Sequence, residues 1–221
     1  MTNIAILHTV PLSIGVLNKK IKDKYQNVNL INILDDSILP SLITKDASTE
    51  DIYLKLKQYC DFAIKAHAQY ILIACATICP FADYVKDKLP VPVIRIDEAM
   101  ANFIAKEKRN VHIIGTLSSS LKALPELIKQ KSTNVNITTK IIQNSVTKSE
   151  KDNLVYRNKC IYENILNTPK NTDCIVFTQI SLSEIAQYQD LPKKDIVYSC
   201  DDLAIDDLLD KCHLVLKNNY Y

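Results

Sequence analysis

The stretch Tyr70-Ile-Leu-Ile-Ala-Cys-Ala-Thr-Ile-Cys-Pro-Phe81 decides how the rest of the chain is read. Its apolar run, bounded by polar segments, reads as a buried strand of a parallel sheet. The run breaks into Cys75, Thr77, Cys79 and Pro80. Pro80 suits the first position of a following helix, where a missing N–H is no loss. Cys75 is therefore expected at the carboxyl end of a strand, pointing towards a helix N-terminus. Open α/β sheets bind ligands at that end, and a thiol there has a reason to ionise. Cys79 falls where the N-cap of that helix would be.

Working outward, strands and helices alternate. Ile4–Leu7 is a strand, and an amphipathic helix is expected over Leu12–Tyr25. Val28–Leu34 alternates as a strand does, and 35–48 reads as a polar, irregular loop. Thr49 looks like the N-cap of a helix running to about Ala66, with Glu50 and Asp51 in its first turn. After the central strand come a helix over 80–88, the strand Val91–Ile96 and a helix opened by Asp97. Further strands fall at Val111–Gly115, Asn136–Ile142, Cys174–Phe177 and Ile196–Tyr198. Helices are expected from about Ser120 to Gln130, over Leu154–Leu166, after Ser181 and over Leu203–Cys212, and 144–153 is polar. The expected fold class is α/β with parallel sheets.

Composition removes several function classes. The 221 residues are 47% hydrophobic with a net charge of +2 and no basic stripe, so nucleic acid is not an expected partner. No apolar run approaches the ~20 residues of a membrane span. The chain starts directly on a strand without a leader-like segment, so a cytoplasmic protein is expected. Its seven cysteines lack the close, even spacing of a disulfide framework and read as reduced thiols. Cysteine and histidine spacings fit no metal site, and no cofactor is expected. Gly15 and Gly115 are the only glycines, which excludes both the dinucleotide fingerprint and the phosphate-binding P-loop.

The two halves resemble each other. Ile6-Leu-His-Thr-Val-Pro-Leu-Ser13 aligns with Ile113-Ile-Gly-Thr-Leu-Ser-Ser-Ser120, and Ile71-Leu-Ile-Ala-Cys-Ala-Thr77 with Ile175-Val-Phe-Thr-Gln-Ile-Ser181. The offsets are 107 (Thr9 to Thr116), 104 (Cys75 to Gln179), 102 (Pro90 to Pro192) and 104 (Asp97 to Asp201). A duplicated α/β unit follows, with 1–97 plus 203–221 as one lobe and 98–202 as the other. Two such lobes about a pseudo-twofold axis would bring their strand ends to one cleft.

A duplicated chain with Ala74-Cys-Ala-Thr77, Ile6-Leu-His-Thr-Val-Pro11, Val91-Pro-Val-Ile-Arg-Ile-Asp-Glu98 and Ile114-Gly-Thr116 resembles the aspartate/glutamate racemase superfamily. That superfamily includes cofactor-independent amino-acid racemases, hydantoin racemases, maleate isomerases and arylmalonate decarboxylases. The resemblance implies a small carboxylate-bearing substrate and two facing cysteines, one thiolate removing the α-proton and one thiol returning it. Cys75 matches the first. The second falls on Gln179 and a neighbouring histidine on Ser181, and glutamine shuttles no proton at neutral pH.

Cys75 is thus the candidate base or nucleophile, against the alternative of an inert buried cysteine. Gln179 is a candidate donor to a carboxylate or amide, and His8 a candidate proton carrier. Thr9, Thr77, Thr116, Ser118, Ser119 and Ser181, with Ala76 in the turn, either cap helices or cradle a carboxylate. Asp97 and Asp201 read as N-caps rather than bases, and Cys79 and Cys200 are lesser candidates, Cys79 as a catalytic or second acid/base group and Cys200 in place of the missing second thiol. The function expected is a racemase-like enzyme using Cys75. A one-thiol decarboxylase or cis–trans isomerase is the alternative, and a non-catalytic small-acid binding protein is a third. Pairing into a homodimer is compatible with each.

Overall fold

Parallel strands must bury both faces, and the apolar runs here do so: Ile4–Leu7 and Ile71–Ile73 are at most 2% exposed. The structure is a computed structural model and describes residues 1–142, 150–188 and 190–212. Its chain divides into two compact units, Met1–Ile96 with the chain from Ala204 onward, and Asp97–Leu203. The first contains β1 (Thr2–His8), α1 (Leu12–Lys24), β2 (Val28–Leu34), α2 (Ile38–Thr44), α3 (Thr49–Lys65), β3 (Tyr70–Ile73), α4 (Cys79–Ala82) and β4 (Val93–Arg95). Its sheet runs β2-β1-β3-β4, all parallel. α1 buries Leu17 and Ile21, and α3 buries Ile52, Leu56, Cys60 and Ala63 at helical spacing.

The second unit contains α5 (Glu98–Glu107), β5 (Asn110–Gly115), α6 (Ser120–Lys131), β6 (Asn136–Ile141), α7 (Glu150–Leu166), β7 (Cys174–Phe177), α8 (Ile180–Ser183) and β8 (Val197–Ser199), with α9 (Cys200–Cys212) leading out of it. Its sheet runs β6-β5-β7-β8 and is again parallel. One side chain set, including Ile104, Val111, Ile113, Leu124 and Val176, forms one core cluster. Ile114, Ile161, Ile165, Ile175, Phe177 and Leu182 form another. Two clusters that draw on alternate residues of β5 and β7 are what a sheet covered on both faces requires.

The internal repeat reaches the register. Asn3 pairs with Asn29 as Asn110 pairs with Asn136, and each pair adds an amide-to-amide hydrogen bond of 3.1 Å. Ile71 pairs with Val93 as Ile175 pairs with Val197, the same 104-residue offset in both members. α9 rejoins the first unit where the Tyr25 hydroxyl, buried with its ring, donates to the Ile205 carbonyl.

Several local expectations are corrected. The helix expected over 80–88 is only the four-residue α4, followed by a 3-10 turn at Lys86–Lys88. Arg95 ties Asp83 to the sheet at 2.5 Å, Val85 turns inward, and Pro90 disfavours helix at Leu89. The expected loop 35–48 contains α2, anchored by buried Ile38 and ended by Lys45 in the left-handed region at φ 62°. The N-cap of α3 is Ser48, not Thr49, through a reciprocal capping box with Asp51. The helix after Ser181 is likewise the short α8 plus a 3-10 turn, Ile185–Gln187. α9 begins at Cys200, so Asp201 lies inside the helix and is not its cap. Asp97 holds the cap position of α5 without a side-chain capping bond. Of the polar stretch 144–153, residues 144–149 lie outside the described residues.

Candidate active site

β1 and β3 are neighbours, and the Ala74 amide extends their ladder by donating to Leu7 at 2.9 Å. His8-Thr9 and Ala74-Cys75 therefore leave adjacent strands at the same carboxyl edge. The Cys75 carbonyl accepts from the amides of Ile78 and Cys79 at 3.0 and 3.1 Å, which folds 75–79 into a tight turn. Cys75 is half-buried, Thr77 likewise, and Ala76 is buried. Cys79 is no N-cap. It is the first residue of α4, fully buried, and its thiol donates to the Ile73 carbonyl at 3.6 Å. Ile78 takes the cap position, and Pro80 follows one place later than expected. α4 has few aligned peptides, so it lends the turn little helix dipole.

Thr9 is 2% exposed, and its Oγ1 has no hydrogen-bond partner among the described residues. A buried hydroxyl left so is costly, and at this edge it is a donor awaiting an acceptor. His8 beside it is fully engaged: Nδ1 lies 2.7 Å from Ser13 Oγ and Nε2 3.0 Å from Asn32 Oδ1. Burial pushes the His8 pKa down, against a smaller upward pull from Asn32. Ser13 also donates to the Val10 carbonyl at 2.8 Å, so the ring sits in a closed polar network.

The second unit builds the counterpart edge differently. Gln179 Oε1 accepts from both the Thr116 amide, at 2.6 Å, and the Thr116 hydroxyl, at 2.9 Å. Both acceptor directions of that carbonyl are used, and the carboxamide NH₂ remains as a donor. Gly115 stands where the first unit has His8, and Thr178 where it has Ala74. A Cβ on Gly115 would meet Thr178 Oγ1 at 2.9 Å and Ser120 Oγ at 3.2 Å. Thr178 thus fills the space of the missing imidazole and donates to Ser120 at 3.1 Å, as His8 engages Ser13. Ser118 is exposed, Ser119 is the cap residue of α6 without a side-chain capping bond, and Ser181 lies half-buried in α8.

Cys200 does not supply the second thiol. It is 3% exposed, and burial, then Asp97 and Asp201, push its pKa well above that of an ordinary thiol. Such a group stays protonated and away from solvent. Among the described residues no three His, Cys, Asp or Glu side chains gather to hold a metal ion. One charged cluster escaped the sequence reading. Asp35, just past β2, accepts from Ser37, Tyr59 and Lys55. Desolvation raises its pKa, but these hydrogen bonds outweigh it and hold the carboxyl well below the usual range. The Asp35-Asp-Ser37 spacing of an Asx-turn was the available signal.

A family model described as Asp/Glu/Hydantoin racemase matches residues 15–164, about two thirds of the chain. The chain belongs to this family. Family membership makes it a racemase-type enzyme. No curated protein sequence matches it. Solved structures of similar fold include a glutamate racemase isoform from Bacillus anthracis, 14% identical with a TM-score of 0.71, covering 98% of this chain and 85% of that one. An aspartate racemase homologue from Pyrococcus horikoshii is 16% identical, TM-score 0.69, covering 96% of this chain and 100% of that one. An allantoin racemase from Klebsiella pneumoniae is 13% identical, TM-score 0.69, with 99% and 91% covered. Among the described residues of this racemase-family chain, no helix is long and apolar enough to cross a membrane.

Proposed function

We propose that this racemase-family enzyme acts on a small carboxylate-bearing substrate, an amino acid such as aspartate or glutamate or a related acid, with Cys75 as its base. The observation that carries this reading is the edge where half-buried Cys75 and the unpartnered hydroxyl of Thr9 leave adjacent strands. A Cys75 thiolate would take the α-proton, and the electron pair would pass into the substrate carboxylate. Thr9, Thr77 and the Ala76 turn of the first unit supply donors for that charge, and Thr116, Ser118, Ser119 and Ser181 are the candidate donors at the counterpart edge of the second. His8, with both ring nitrogens engaged, acts as a positioning residue for Thr9 rather than as the proton carrier.

Gln179 acts through its NH₂ alone, because Thr116 occupies its carbonyl. It holds substrate oxygen and carries no proton, so the α-carbon is reprotonated by the Cys75 thiol or by water. Exchange of the α-proton should then outrun inversion of configuration. Incubating the enzyme with D- and L-aspartate and glutamate in D₂O, followed by NMR and chiral chromatography, tests this. Deuteration that disappears in Cys75→Ala supports the proposal; deuteration that survives this change refutes the role of Cys75. The same committed carbonyl favours a second reading, decarboxylation or cis–trans isomerisation by one thiol, which turnover of malonates or maleate would reveal.

A further inference from the structure

A groove of ≈ 340 Å³ lies between α3 and residues 85–90 of the first unit, within the volume range of small-molecule sites. Tyr53, Ile64, Leu89 and Pro90 give it an apolar wall, and Lys57, Asp61, Lys65 and Lys88 are its charged members. Asp61 is already taken by Lys57 at 2.8 Å. Lys65 and Lys88 have no carboxylate partner among the described residues, which leaves the groove with uncompensated positive charge. Lys88 Nζ stands 5.6 Å from the centroid of the Tyr53 ring, and Tyr84, 57% exposed, meets that ring edge-on at 6.2 Å. A smaller cleft shares Tyr53 and Lys88 with it and is also lined by Glu50.

The groove is separate from the Cys75 edge. Lys65 ends α3 just before β3, and Pro90 precedes β4, so it opens towards the amino ends of the strands. The internal repeat gives an independent comparison. Leu191-Pro192 corresponds to Leu89-Pro90, and the residue before it is Asp190 in place of Lys88. Asp190 accepts from the Tyr162 hydroxyl of α7 at 3.1 Å, so there a tyrosine is tied to an anion. In the first unit the tyrosine tied to an anion is Tyr59, on Asp35, while the ring of Tyr53 faces the Lys88 cation.

We infer that this groove binds a small aromatic carboxylate, its ring against Tyr53 and the apolar wall and its carboxylate at Lys88, with Lys65, further along α3, adding to the positive field of the groove. The aromatic body matches the exposed ring edges, and the anion matches the two unpaired ammonium groups. Isothermal titration of the full chain with 4-hydroxyphenylacetate, its neutral alcohol analogue and succinate tests the site. The aromatic acid should bind, its affinity falling with added salt, and the other two should bind about tenfold more weakly or worse, since each lacks the charge or the ring. Lys65→Gln with Lys88→Gln should weaken binding by about tenfold, and Tyr53→Leu several-fold, while Cys75→Ala leaves it unchanged. Equal binding of the neutral analogue, or binding lost in Cys75→Ala and kept in the double lysine variant, overturns the inference. So does the absence of any heat at millimolar acid.

Discussion

Gln179 has one carbonyl and one NH₂, and Thr116 has claimed the carbonyl with two hydrogen bonds. Replacing it with cysteine should restore a second thiol of the kind the family resemblance implies. In Gln179→Cys, inversion relative to exchange should rise by about 10²-fold, the usual worth of a positioned acid or base, as read by chiral chromatography against deuterium uptake. His8 makes a different residue-level prediction. Its folded pKa is depressed, so the unfolded chain binds a proton that the folded chain refuses. The stability it contributes is complete above an unfolded value of about 6.5 and drains away as pH falls towards the folded value. Denaturant midpoints should fall between about pH 7 and 5, and His8→Gln should flatten that fall.

At the level of elements, polar anchors decide where helices sit. Asp35 joins the exit of β2 to Lys55 and Tyr59 of α3, and the ionised carboxylate is the form that accepts all of these bonds. Because its folded pKa lies below the unfolded value of about 3.9, its contribution is present above that pH and is lost as pH falls further. Asp35→Ala should cost about 2 kcal/mol at neutral pH in urea unfolding, as charged hydrogen bonds do. Tyr25 performs the same service for α9. Tyr25→Phe keeps the buried ring but removes the hydroxyl's hydrogen bond to the Ile205 carbonyl, and should lower stability by about 1 kcal/mol.

Across the whole molecule, the two units share a register but solve one packing problem in opposite ways. The first pairs a large His8 with Ala74, and the second pairs Gly115 with Thr178. Gly115→Ala should destabilise the chain by about 1–3 kcal/mol, since the hydroxyls of Thr178 and Ser120 lie within 3.2 Å of the added carbon. Adding Thr178→Ala vacates the nearest contact, and a double-mutant cycle by thermal denaturation should show part of that loss recovered. Additive costs would mean that the pair is not a compensating exchange.

Much of this was legible from the chain alone. The apolar runs around Ile71 and Ile175, the turns after them and the near-constant offsets between halves determine a duplicated parallel α/β fold, because burial on both faces leaves an unambiguous hydrophobic trace. They also place Cys75 and Gln179 in equivalent turns. Helix lengths were less legible where tertiary contacts overrule local periodicity, as the Arg95–Asp83 pair does after α4. The state of each candidate side chain was not legible at all. Only the folded structure makes Thr9 an unpartnered buried hydroxyl, commits the Gln179 carbonyl to Thr116 and removes Cys79 and Cys200 to the interior. Hydrogen bonds and burial join residues some sixty positions apart, and a reading of neighbours along the chain carries no record of them.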